Sequence, residues 1–193
     1  MNKKCILLFI AVLFSTGVFA QSPISVGFKF GMNSSKFSTK VADYNEQTIN
    51  NYLAGAFVRL SLSKLYIQPE LYFNTKGGKL KQNAVDVVKS IDLKTLDVPI
   101  LVGYKLINLP TFNVRVNAGP VVSFVTDKKI SDQGINLDEF KDKIWGWQYG
   151  AGVDFLFLSL DFRVEKTGEL FKGLDFKDNS NKSYLFTLGL KIL

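Results

Sequence analysis

Trp145-Gly146-Trp147-Gln148-Tyr149-Gly150-Ala151-Gly152-Val153-Asp154-Phe155 alternates without a break. Trp145, Trp147, Tyr149, Ala151, Val153 and Phe155 share one parity, and Gly146, Gln148, Gly150, Gly152 and Asp154 share the other. A β-strand turns successive side chains to opposite faces, so the run predicts a strand with one apolar and one polar face. Just beyond it, Leu158, Leu160, Phe162 and Val164 alternate with Ser159, Asp161, Arg163 and Glu165. Two such runs separated by Leu156-Phe157 predict a hairpin.

Working outward, the same period recurs six more times. Val26, Phe28, Phe30 and Met32 oppose Gly27, Lys29, Gly31 and Asn33. Ala54, Ala56, Val58 and Leu60 oppose Gly55, Phe57, Arg59 and Ser61. Leu65, Ile67, Leu71 and Phe73 oppose Tyr66, Gln68, Glu70, Tyr72 and Asn74. Leu96, Val98, Ile100, Val102 and Tyr104 oppose Asp97, Gly103 and Lys105. Phe112, Val114, Val116, Ala118, Val122 and Phe124 oppose Asn113, Arg115, Asn117 and Ser123. Last, Tyr184, Phe186, Leu188, Leu190 and Ile192 oppose Ser183, Thr187, Gly189 and Lys191.

The connections alternate in length. Residues 36–50, 76–90, 126–143 and 166–182 are long and polar, whereas 61–64, 107–110 and 156–157 are short. Compact soluble domains seldom hold loops beyond about 12–15 residues. Tight turns at one end and long loops at the other belong to transmembrane barrels. A ten-residue strand rises about 33 Å and, tilted by about 40°, spans roughly the 25 Å apolar band of such barrels.

Charge decides which face looks out. The apolar faces are nearly free of it, while the opposite faces gather Lys29, Arg59, Lys105, Arg115, Arg163 and Lys191 with Glu70, Asp97, Asp154, Asp161 and Glu165. A soluble barrel needs the reverse sidedness. In hydrocarbon the charges must turn inward, and the sheet must close so that every backbone group is paired. The expectation is an all-β, eight-stranded antiparallel up-and-down transmembrane β-barrel whose lumen is plugged by a near-neutral, structural charge cluster. Pro69, Pro99 and Pro120 fall inside the runs, where the missing N–H predicts bulges or weakened pairing.

Composition narrows the chemistry. None of the 193 residues is histidine, and the one cysteine is Cys5. Ser-His and Asp-His catalysis, imidazole metal sites, disulfides and thiolate clusters are thereby removed, and no cofactor or metal is expected. Residues 1–20 read as a secretory signal peptide: Lys3 and Lys4, an apolar run from Cys5 to Phe14, then Val18-Phe19-Ala20 before Gln21. That run is too short for the roughly 20 residues a spanning helix needs. Cleavage after Ala20 leaves residues 21–193 as one outer-membrane barrel domain. Setting Lys3 and Lys4 aside, the 24 basic residues become 22 against 17 acidic ones, a net of +5. This balance suits an anionic membrane surface; without a basic stripe it does not point to nucleic acid.

Gln68-Pro69-Glu70-Leu71-Tyr72, Leu96-Asp97-Val98-Pro99-Ile100-Leu101, Ala118-Gly119-Pro120 and Gly150-Ala151-Gly152, in that order, resemble the PorT-like family of outer-membrane β-barrel proteins. The resemblance spans the chain after residue 20. It implies a signal peptide, an eight-stranded barrel, the outer membrane of a Gram-negative cell, and a founding member linked to protein secretion and gliding. It carries over no catalytic residue. One departure from many outer-membrane barrels is the last residue, Leu193, where an aromatic is common.

Four further features invite a role. Trp145 and Trp147, with Tyr52, Phe73, Tyr104 and Tyr184, are expected to form an aromatic girdle at the loop end. Lys76, Lys79 and Lys81 make the second loop basic enough to meet lipopolysaccharide phosphates. Asp127, Asp132, Asp138, Glu139 and Asp142 lack the spacing of a calcium loop and alternate with lysines. Leu170, Phe171, Leu174 and Phe176 are apolar for a loop and form a candidate partner-binding segment. The function expected is that of a monomeric, non-catalytic barrel in contact with outer-membrane lipid and lipopolysaccharide, with a structural, adhesion or secretion-accessory role through its outer loops. Three alternatives stand beside it. An exported lipocalin-like carrier requires an apolar interior. A lipid-modifying barrel enzyme requires an unfamiliar Ser, Asp or Lys site. A conducting pore requires single-channel currents.

Overall fold

A computed structural model describes residues 23–38, 44–47, 49–82, 88–130, 142–168 and 180–192. The expected signal peptide and the segment holding Leu170, Phe171, Leu174 and Phe176 lie outside them. The described elements are β1 (Ile24–Ser38), β2 (Tyr44–Gln47), β3 (Ile49–Leu62), β4 (Leu65–Gln82), β5 (Val88–Asn108), β6 (Phe112–Ile130), β7 (Lys143–Phe155), β8 (Leu158–Thr167) and β9 (Ser180–Lys191). All pairings are antiparallel and run β3-β1-β9-β8-β7-β6-β5-β4, with β4 returning to β3. This closes a ring of eight strands. The first and last strands meet from Gly27↔Lys191 to Ser38↔Ser180, so the sheet has neither a free first strand nor a free last one among the described residues. The short β2 pairs only with the far end of β4, Tyr44↔Gln82 to Gln47↔Lys79.

Burial alternates along every wall strand, and its sense is the one hydrocarbon demands. Phe28, Phe73 and Trp145 are 53%, 67% and 65% exposed on the outer face, whereas Arg115, Asp97 and Glu165 on the inner face are 0% exposed. Both two-residue turns carry a non-glycine residue in the left-handed region, Ser63 at φ 58° and Leu156 at φ 52°. Strain of that kind costs about 1–3 kcal/mol and persists where flanking ladders fix the chain. Here β3–β4 and β7–β8 do so.

Prolines weaken the ladders without shifting them. The β3–β4 ladder passes from Phe57↔Glu70 to Leu60↔Ile67, skipping Pro69. Next, β4–β5 passes from Pro69↔Ile100 to Tyr72↔Asp97, skipping Pro99, and β5–β6 from Pro99↔Val121 to Val102↔Ala118, skipping Pro120. The true register shifts lie elsewhere on β5, at Lys94/Thr95 and Lys105/Ile107, near the two ends of the wall. A missing N–H removes a bond but adds no residue, so it cannot by itself make a bulge.

Two loop expectations are corrected. Residues 76–90 are mostly wall, since β4 and β5 pair out to Lys81↔Val88, and residues 126–130 continue β6. A 21-residue β5 rises roughly 50 Å at a tilt of about 40°, twice the apolar band. The paired wall therefore stands well above the lipid on the long-loop side. Tyr104 does not join the girdle there: it pairs with Leu65, beside the Ser63-Lys64 turn, at the opposite end of the barrel. Phe155, at the end of β7, and Phe157, in the turn that follows it, are exposed at that same end.

Candidate functional site

Because consecutive inward positions recur every second residue, each strand delivers its polar face to the lumen as a column, and the columns meet in three layers. Nearest the short turns, Arg59 from β3 reaches Asp154 on β7 at 2.5 Å and donates from Nε to Gln68 Oε1 at 2.6 Å. Arg115 from β6 touches the same Asp154 at 3.2 Å, Asp161 at 2.7 Å and Ser159 Oγ at 2.7 Å. In the middle layer, Glu70 on β4 accepts a bidentate pair from Arg163 on β8, both bonds 2.8 Å, and a third from Lys29 on β1 at 2.6 Å. Arg163 also faces Asp161 at 3.2 Å. Nearest the long loops, Lys76 on β4 lies 3.1 Å from Asp97 and pairs with Glu165 on β8 while donating to Ser123 Oγ at 2.6 Å. Gln148 joins this layer, donating to Glu165 at 2.6 Å.

Three of these ion pairs span the full width of the barrel. In the ring order β3-β1-β9-β8-β7-β6-β5-β4, β3 faces β7 and β4 faces β8. Arg59–Asp154, Arg163–Glu70 and Lys76–Glu165 therefore each tie opposite walls together. Two aromatic rings line the same space. Tyr66 stacks under Arg59 at 5.1 Å and Tyr72 under Lys29 at 5.4 Å. Gly103 and Gly152 make the room: a Cβ at Gly103 would enter the Tyr66 ring, and one at Gly152 would press on the Arg115 guanidinium.

Of the eleven residues expected in the lumen, Lys29, Arg59, Glu70, Asp97, Arg115, Asp154, Asp161, Arg163 and Glu165 are buried in this network. Lys105 and Lys191 are not enclosed. Each is only partly buried at the short-turn mouth, Lys191 with its side chain 16% exposed and 3.9 Å from Asp154. Lys76 corrects the reading of the second loop, since it is 0% exposed inside the barrel. Its parity continues that of Gln68, Glu70, Tyr72 and Asn74, a signal that the adjacent Gly77-Gly78 obscured. Apolar side chains also enter the lumen: Leu53, Tyr72 and Leu185 form one buried cluster, and Leu101, Val121 and Ile144 are buried as well. A groove of about 630 Å³ has outward-facing Phe30, Met32, Tyr52, Ala54 and Phe73 in its lining, together with inward-facing Leu53, Asn74 and Thr95. Among the described residues no group of three or more Asp, Glu, Cys or His is placed to hold a metal ion.

Residues 19–166 match the family model described as outer membrane protein beta-barrel domain. The chain belongs to that family. This outer membrane β-barrel protein also resembles solved barrels in fold. OprG from Pseudomonas aeruginosa superposes with a TM-score of 0.52 at 13% identity, covering 88% of this chain and 94% of OprG. The attachment invasion locus protein Ail of Yersinia pestis, solved in complex with the heparin analogue sucrose octasulfate, gives 0.50 at 11% identity, covering 88% and 99%. No curated protein sequence matches significantly. Family and fold together place the protein in the outer membrane as a transmembrane barrel. For such single-chain bacterial barrels short turns face the periplasm and long loops the exterior, so the Lys76 layer lies toward the cell surface and the Lys105–Lys191 mouth toward the periplasm.

Proposed function

We propose that this outer-membrane barrel is a rigid, monomeric, non-enzymatic scaffold that holds its loop-end rim at the cell surface, in a structural, adhesion or secretion-accessory role of the kind the PorT-like resemblance implies. One observation carries the reading: ion pairs tie opposite walls in all three layers of the lumen. Buried pairs of this sort fix geometry more than they add stability, and a cross-braced lumen leaves transport without a path. Contact with other molecules then falls to the outer surface. In this reading the chain is exported and cleaved after Ala20, its surroundings are outer-membrane lipid and lipopolysaccharide, and the segment holding Leu170, Phe171, Leu174 and Phe176 docks a secretion or surface protein.

The test has two arms. Photo-cross-linkers at Phe171 and Phe176 in intact cells should capture a defined partner, and purified protein in planar bilayers should give no steady single-channel current. A stable conductance overturns the reading; cross-linking that yields no defined adduct overturns the docking role of that segment and leaves the purely structural one. N-terminal sequencing of protein recovered from outer membranes should begin at Gln21.

A further inference from the structure

Lys166 on β8 stands directly opposite Lys182 on β9, and Lys182 stands opposite Lys36 on β1. Three lysines thus occupy neighbouring places in one cross-strand row. The row continues through Trp147 on β7 to Pro120 on β6 and contains no carboxylate. Adjacent strands lie about 4.8 Å apart, and like charges directly opposite one another repel. Lys166 and Lys182 are exposed on the outer wall and form no ion pair among the described residues. Each ammonium is held over a ring instead, Lys166 at 6.0 Å from the Tyr149 centroid and Lys182 at 5.0 Å from that of Tyr184. Lys143 repeats the arrangement over Phe124 at 5.7 Å.

The place of the row identifies its ligand. The next outward row toward the short turns is Tyr149, Val164 and Tyr184, followed by Ala151, Phe162 and Phe186. Phe162 and Tyr184 stack at 6.4 Å, on a wall that carries no charge at these positions. The lysines therefore mark the level at which the lipid-facing surface turns from apolar to cationic, on the side that faces the outer leaflet. A soluble anion would need only the charge. A lipid with an anionic headgroup needs both charge and the greasy wall beneath it.

We propose that the Lys166–Lys182 row is a binding site for the phosphate groups of a phosphorylated glycolipid of the outer leaflet, its acyl chains lying along Tyr149, Phe162, Tyr184 and Phe186. A phosphate between two ammonium groups relieves their repulsion and accepts charge-assisted hydrogen bonds from both. The inference rests on the reading of lipopolysaccharide as a partner and is independent of the scaffold role, which the conductance and cross-linking tests address separately.

The experiment uses full-length mature protein folded in detergent and native mass spectrometry of retained lipid. The probes are bisphosphorylated lipid A, its fully dephosphorylated form, and phosphatidylcholine. Wild-type protein should retain the phosphorylated lipid at least tenfold over both others. The K166Q/K182Q variant should lose that preference at least tenfold, and the K166R/K182R variant should keep it, with unchanged heat-modifiable gel migration reporting that each barrel is folded. Equal retention of dephosphorylated lipid, or full retention by K166Q/K182Q, overturns the proposal. Displacement of the lipid by millimolar inorganic phosphate alone overturns the lipid as the source of the phosphate.

Discussion

Replacing Glu70 by Gln keeps the side-chain volume and removes one charge from the middle of the lumen. In the native barrel that carboxylate answers Lys29 at 2.6 Å and both terminal nitrogens of Arg163 at 2.8 Å. It also accepts from Gln68 Nε2 at 2.5 Å. After E70Q, two cations that are each 2% exposed share only Asp161 within this layer, and the new amide N–H groups point into donors. Removing one member of a buried pair costs about 3–5 kcal/mol because the partner charge stays buried. At about 1.4 kcal/mol per tenfold, the folded-to-unfolded ratio falls by roughly two to three and a half orders of magnitude. Urea unfolding in micelles, followed by the fluorescence of Trp145 and Trp147, measures it. The control is Lys94→Gln, whose partner Asp127 lies 3.1 Å away in an exposed pair, 53% and 43% accessible, and which should cost about 0–1 kcal/mol. K29M in the E70Q background should recover part of the loss, because it removes one of the two stranded cations. Equal costs for E70Q and K94Q would refute the claim that the lumen network braces the barrel.

Other expectations follow from the same geometry. Lys76→Met leaves Asp97 and Glu165 facing each other without a cation and should destabilise by about 3–5 kcal/mol, again read by urea unfolding. Gly103→Val drives a branched side chain into the Tyr66 ring and should cost about 1–3 kcal/mol; the loss should shrink in a Tyr66→Leu background. Phe162→Arg, on the lipid face at mid-wall, should cost about 2–4 kcal/mol, whereas Tyr52→Arg near the loop end should cost about 0–1, measured by refolding yield and unfolding in the same vesicles.

Period-two alternation made the strand count and the sidedness legible, because each wall strand sees lipid on one side and polar neighbours on the other. Partnership was not legible. Glu70 meets Lys29 41 residues away and Arg163 93 residues away, and only ring closure sets which strands oppose. Lys76 shows a boundary failure: its parity fits the lumen, but glycines and further lysines beside it look like loop when the membrane band is assumed to end the strand. Tyr104 shows a depth failure, since the pattern tells in from out but not one end of the wall from the other. The β5 register shifts at Lys94/Thr95 and Lys105/Ile107 have no proline or glycine at the shift to announce them. The outward row of Lys166 and Lys182 escaped notice for the opposite reason: each lysine ends an apolar run and reads alone as a loop boundary, and only the β8–β9 register sets them side by side.

Sidedness is tested most directly by quenching with lipids brominated along their acyl chains. In the native barrel Trp145 and Trp147 are 65% and 64% exposed on the outer wall, whereas Tyr72 is 1% exposed inside. Bromolipid should strongly quench a variant that keeps Trp147 alone, and should leave a Tyr72→Trp variant lacking both native tryptophans nearly as bright as in unbrominated lipid. Equal quenching at positions 72 and 147 would contradict an enclosed polar lumen and, with it, the whole account.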